Sequence, residues 1–272
     1  MGLLTGKKLV ITGISSNRSI AYGIARACYN EGAELILTYN DERFKSRLDR
    51  FAGEFGNAAV YELDVVSDDS IADATAKIAE HWPEGFDGFL HSIALAPREA
   101  IEGKFLDGLS RKSFLTAIEI SSYSYAALAK AFLPLMQGHK ASILTLSYLG
   151  AEKVVPNYNT MGVAKAALEA TTRYLAADLG PMGIRANALS CGPVRTLAAS
   201  GIKNFTKMLS QSEQISPLRK LVSLEDIGNT AAFFFSDYAA SITAETLYVD
   251  AGFHALGCAL PEEKKDSDCA AP

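Results

Sequence analysis

The chain has 272 residues, 49% of them hydrophobic and 21% charged, with a formal net charge of −5. That balance suits a soluble globular protein with a sizeable core, and its acidic sign gives no basic field for nucleic acid. No apolar run is long enough to span a membrane, and the start "MGLLTGKKLVITG" lacks a signal-peptide layout, so the expected setting is the cytoplasm.

In chain order, "KKLVITG" reads as a buried strand and "SIAYGIARACYNEG" as a helix stopped by Gly32. "AELILTY" is a second strand and "DERFKSRLDRFAGEFG" an amphipathic helix with another glycine stop. "AVYELDV" is a third strand, followed by a helix that Ser67 caps. "FDGFLHSIA" is the fourth strand, and one long helix runs from about Lys112 to Met136. "ASILTLS" is the fifth strand, 158–179 a helix and "IRANALS" the sixth strand. "SLEDIGNTAAFFFS" is a helix capped by Ser223, and "ETLYVDAG" is the last strand. Alternating helices and continuously apolar strands predict an α/β fold. We expect a single doubly wound, Rossmann-type parallel sheet with helices on both faces. That domain should occupy residues 1–252, with a C-terminal extension over 253–272 whose end is flexible. The irregular stretch at about 193–216 has the position of a substrate lid.

Four scattered cysteines (Cys28, Cys191, Cys258, Cys269) and four histidines make no ligand spacing, so no metal is expected. The myristoylation pattern fails at Gly6, and the terminal "CAAP" ends in Pro272 rather than a prenylation residue. "ITGISSNRSIAYGIA" joins the first strand to the first helix, where a dinucleotide pyrophosphate rests on exposed backbone N–H groups. Gly13 permits a tight turn, Ser19 and Ala21 allow close approach, and Gly23 should let helix and strand pack. The G-x-G-x-x-G pattern itself is broken, so an ordinary strand–turn–helix stays open. Asn40 and Asp41 end the second strand where a 2′-phosphate would lie, which favours NAD over NADP, although Arg43 is close by. Asp64, beside Val65, could accept from an adenine amino group or serve only as a turn.

"GISSNRSIAYGIA", "HSIALAP", "LTLSYLGAEKVVPNYNTMGVAKA" and "GPVRTLAASGI" together closely resemble the enoyl-acyl-carrier-protein reductases, divergent members of the short-chain dehydrogenase/reductase family. The likeness extends to about Gly252. It implies an oxidoreductase of fatty-acid biosynthesis that reduces trans-2-enoyl thioesters with NADH, on an acyl carrier protein, as a homotetramer. By resemblance Tyr148 and Tyr158 take the active-site tyrosine roles, and Lys165 binds the nicotinamide ribose. Gly13, Ser19, Ile20, Asn40, Asp64, Val65 and Ile93 match cofactor contacts, as do Val194, Arg195, Thr196, Leu197 and Ala198. Ala96 matches a substrate contact. Two residues depart from the family pattern: Asn40, where Gln is common, and Ala94, where Gly is common.

Tyr158 precedes Lys165 by seven residues, whereas a ketone reductase of the superfamily carries its tyrosine four residues before the lysine, here Met161. Residues seven apart on a helix differ by only about 20° in direction, so both spacings share a face, and three residues correspond to roughly 4.5 Å of rise. An enoyl thioester needs that shift. Hydride goes to the β-carbon while charge develops on an oxygen roughly 3 Å away, against about 1.2 Å for a ketone. Met161 leaves an apolar, substrate-facing surface where the ketone's donor would stand. Tyr148, thirteen residues before Met161, falls about where a ketone reductase has its assisting serine. The rivals are a β-ketoacyl or other ketone reductase on the same fold, and a non-catalytic dinucleotide-binding protein. In the lid, Leu197, Ala198, Ala199 and Ile202 suit an alkyl chain, and Lys203 and Lys207 suit an acidic carrier.

Overall fold

The strands take their places because each offers apolar residues to both sides. In β1 (Lys8–Ile11), Leu9 and Ile11 join the core on one face of the sheet and Val10 joins the core on the other. A computed structural model of the chain describes residues 2–196 and 205–257. The remaining strands are β2 (Glu34–Tyr39), β3 (Ala59–Glu62), β4 (Gly88–His91), β5 (Ser142–Ser147), β6 (Arg185–Cys191) and β7 (Thr246–Val249). All neighbours pair in parallel, in the order β3-β2-β1-β4-β5-β6-β7.

Helices α1 (Ile20–Asn30), α2 (Glu42–Glu54) and α8 (Leu224–Phe235) pack on the first face through Ile24, Phe51 and Ile227. On the second face lie α3 (Asp68–His81), α5 (Ser124–Met136) and α6 (Asn159–Leu179), represented by Ile78, Phe132 and Leu168. The doubly wound sheet expected from the alternation is present. Its strand order reverses direction between β1 and β4, which opens a crevice at the carboxyl ends of those strands.

Two local features differ from the expected pattern. The long helix is α4 (Arg111–Ile118), a five-residue π turn over Glu119–Tyr123 and then α5. The wide turn brings Ser121 onto the loop after β4, where its Oγ accepts from the Leu95 N–H (3.0 Å) and donates to the Leu95 carbonyl (3.2 Å). Within 193–216, residues Phe205–Ile215 form helix α7 rather than irregular chain. Its sequence interleaves apolar positions with Ser and Gln, which obscures the helical period. Past Gly252 the chain turns through Phe253–Ala255, and the His254 ring stacks on Tyr248 at 3.9 Å.

Candidate active site

The crevice is built first by a close approach of two loops. Gly13 has φ +81°, and a Cβ there would lie 1.9 Å from the Ser92 carbonyl oxygen, so only glycine fits between the loops after β1 and β4. Ser19 caps α1: its Oγ accepts from the Tyr22 N–H at 3.3 Å and donates to the Ser16 carbonyl at 2.7 Å. The cap engages the Tyr22 N–H, and Ser19 and Ile20, at the N-terminal start of this helix, line the crevice. Gly23 has a different role from the one expected. It faces α8, where a Cβ would come within 2.9 Å of Leu224, and packs helix against helix rather than helix against strand.

The opposite wall comes from β5 and α6. Tyr158 is the residue just before α6, not its first turn as expected; Asn157 and Asn159 flank it at φ 61° and 41°. Asparagine tolerates this left-handed backbone better than most residues. The Tyr158 carbonyl still accepts from the Met161 N–H at 3.0 Å, so the tyrosine continues the helical turn backwards. Its ring meets Tyr148 edge to face, with centroids 4.9 Å apart and planes at 71°. Burial pushes the Tyr158 phenol up, as do neighbouring Tyr148 and Glu169; burial also raises Tyr148, with Asp250 adding to it. Both phenols are thus protonated donors at neutral pH. Lys165 is buried, and its Nζ donates to the Leu146 carbonyl at 2.6 Å. Burial pushes its ammonium down to about 8.

These walls enclose a cleft of about 450 Å³. From the first loop and α1 it is lined by Gly13, Ser19 and Ile20, and from the loop after β4 by Ala96. Tyr148, Tyr158, Met161 and Lys165 line the opposite side, with Val194 and Thr196 closing it after β6. The remaining candidates lie apart. Asn40, Asp64, Val65 and Ile93 follow the carboxyl ends of β2, β3 and β4, outside the cleft lining. The Asp64 carboxylate accepts from the Val66 N–H at 3.2 Å, a turn bond. Arg195 is exposed and does not line the cleft, while Leu197, Ala198 and Lys203 fall outside the described residues.

At the end of β2, Asp41 caps α2 and grips Arg43. Arg43 donates through Nε (2.9 and 3.0 Å) and a terminal nitrogen (2.6 Å) to both carboxylate oxygens. Those bonds hold the Asp41 carboxyl down at about 2. Arg43, the cation nearest Asn40 in the sequence, is thus occupied by its own neighbour.

Three buried polar residues were given no role by the sequence, although His91 opens the "HSIALAP" motif. His91 is held by Thr145 Oγ1 (2.9 Å) and Ser124 Oγ (2.8 Å), and burial pushes it down to about 3, so it is neutral. Ser121 pins Leu95, and Glu169 accepts from Ser147 Oγ. The signals were slight: a histidine inside an apolar strand, and a glutamate one turn after Lys165.

A glycine-only loop contact, a helix N-terminus lining the cleft and a buried ammonium fit a dinucleotide, and two tyrosines face it across an apolar cleft. Fold and site together define a dinucleotide-dependent reductase. A family model described as "Enoyl-(Acyl carrier protein) reductase" matches residues 13–254. The NADH-dependent enoyl-acyl-carrier-protein reductase of Haemophilus influenzae is 52% identical over 253 residues, covering 93% of this chain and 96% of that one. The enoyl-acyl-carrier-protein reductase of Anaplasma phagocytophilum, solved in complex with NAD, has a TM-score of 0.91 at 44% identity over 96% of this chain and 98% of its own. That of Bacillus cereus, solved with NADP+ and indole naphthyridinone, has a TM-score of 0.92 at 44% identity over 95% of this chain and 100% of its own. The chain belongs to the enoyl-acyl-carrier-protein reductase family.

Proposed function

We propose that Tyr158, Lys165 and Tyr148 carry the reduction of trans-2-enoyl-acyl-carrier-protein thioesters in the elongation cycle of fatty-acid biosynthesis, with NADH as reductant. The supporting observation is that Tyr158 and Lys165 line one cleft, and that Met161, which lies between them in the sequence and carries no hydroxyl, lines it too. This spacing suits an acceptor oxygen displaced from the carbon that takes hydride.

NADH supplies the hydride when bound. Gly13, Ser19 and Ile20 would hold its pyrophosphate, Lys165 its nicotinamide ribose, and Asn40, Asp64, Val65 and Ile93 its adenosine end. The Tyr158 hydroxyl donates to the thioester oxygen and stabilises the enolate as charge develops there, and the α-carbon then takes a proton from Tyr158 or from water. Lys165, charged below about pH 8, lowers the cost of that charge. Tyr148 packs against Tyr158 and fixes its ring. Met161 and Ala96 keep the reacting end of the substrate in apolar surroundings.

The test is NADH oxidation with crotonyl and acetoacetyl thioesters. Turnover of the crotonyl compound alone is expected; turnover of the acetoacetyl compound alone would make the protein a ketone reductase. NADH binding without any turnover would make it a silent dinucleotide binder.

The site works in the cytoplasm, in keeping with the absence among the described residues of any helix long and apolar enough to cross a membrane. The carrier protein docks beside α7, where Lys207 is exposed. In Lys203→Glu/Lys207→Glu, kcat/KM should fall for the carrier-linked substrate and much less for an N-acetylcysteamine thioester, because charge steers encounter. Equal losses on both would move docking to another face. The chain assembles as a homotetramer, for which the exposed Leu115, Tyr123 and Tyr174 on the α4–α6 side provide apolar contact surface.

A further inference from the structure

Glu169 is a buried carboxyl beside the catalytic residues, and the mechanism above does not use it. It is 6% exposed, one turn beyond Lys165 on the same face of α6. Burying a carboxyl is costly unless something holds it, and here Ser147 Oγ donates to its Oε1. Ser147 is itself buried and ends β5.

The pairing repeats along the two elements. The Leu146 carbonyl accepts from Lys165 Nζ, the next residue, Ser147, donates to Glu169, and the next, Tyr148, packs on Tyr158. The last two residues of β5 are therefore held by Lys165 and Glu169, one turn apart on α6, and the residue after β5, Tyr148, packs on the residue just before α6. We propose that Glu169 is a positioning residue for the reaction: through Ser147 it locks the end of β5 onto α6, and its negative charge keeps the Lys165 ammonium protonated. The proposal rests on the functional reading above.

The surroundings of both groups bear on the charge. Burial raises the Glu169 carboxyl, and Glu152 adds to that; the Ser147 hydroxyl, Arg173 and Lys165 act the other way and favour the carboxylate. Tyr158 at the start of α6 and Tyr248 on β7 also feel its charge. Around Lys165, burial lowers the ammonium, while Cys191 on β6 and Glu169 raise it. His91 on β4 also interacts with Lys165 and is itself neutral, pushed down to about 3. Cys191, pushed up to about 12, is a neutral thiol where Lys165 titrates, so removing the Glu169 charge takes away the neighbouring anion that favours the ammonium. The ammonium is then lost at lower pH.

Three variants separate the two halves of the role. Ser147→Ala and Glu169→Ala should each lower kcat for crotonyl thioester roughly tenfold, the change one charge-assisted hydrogen bond corresponds to. In the double variant the losses should not multiply, because one bond is removed. Glu169→Gln should recover part of the loss at pH 7, since its amide oxygen still accepts from Ser147. NADH affinity, followed by fluorescence without substrate, should fall in the wild type as pH rises through about 8, and in Glu169→Gln at lower pH. An unmoved pH limb in Glu169→Gln, or multiplying losses in the double variant, overturns the proposal. If Glu169→Ala fails to fold, Ser147→Ala and the Glu169→Gln binding curve carry the test. Wild-type turnover judges the functional reading separately, because every variant is measured against it.

Discussion

At the scale of single residues, the roles proposed for Tyr158 and Lys165 differ in a way that can be measured. Lys165→Ala should weaken NADH binding in a fluorescence titration as well as turnover, since the buried ammonium is the group assigned to the ribose; normal binding would remove that role. Tyr158→Phe should leave NADH affinity unchanged and lower kcat by roughly tenfold or more. Unchanged kcat would take Tyr158 out of the mechanism. Both residues were legible in the sequence, because a seven-residue spacing before a lysine survives any small error in where the helix starts. The helix does start one residue later than expected, at Asn159. Two left-handed asparagines flank Tyr158, and its ring still lines the cleft. Their conformation has no sequence signature beyond the residue type.

At the scale of elements, the caps were readable and the contacts were not. Ser67 and Ser223 cap their helices as expected, and Ser223 completes a capping box with Asp226, because capping depends on residues three apart. Asp41 also caps, but its hold on Arg43 is a side-chain geometry that the sequence left undecided. This gives a cofactor prediction. Asp41→Asn keeps a good cap, removes the charge and frees Arg43, so NADPH should bind more tightly while NADH affinity changes little. Adding Arg43→Ala should cancel the gain. NADPH affinity that stays the same in Asp41→Asn would mean that Arg43 never reaches the 2′-phosphate. The α1–α8 contact is the second case. A Cβ at Gly228 would lie 2.7 Å from the Gly23 carbonyl oxygen and 2.9 Å from the Ala27 Cβ. Gly228→Val should therefore cost about 1–3 kcal/mol in denaturant unfolding, through overpacking. A variant as stable as the wild type would show that α8 can shift freely.

At the scale of the whole molecule, a homotetramer should sediment at four times the chain mass. A Tyr174→Glu change on the 78% exposed ring should shift it toward smaller species. A monomer at micromolar concentration would remove that assembly. The sequence by itself determined the fold class and the order of elements. Strands buried on both faces must be apolar throughout, and helices covering them must be amphipathic, so both patterns are written locally. It also determined the tyrosine–lysine pair and the apolar Met161 between them. Only the tertiary structure decided which residues meet across distance. These are Gly13 against Ser92, Gly23 against α8, Ser121 against Leu95, and Glu169 under Ser147. The reason is physical: each contact joins residues far apart in the chain, and its meaning lies in a separation of a few ångströms that no local spacing encodes.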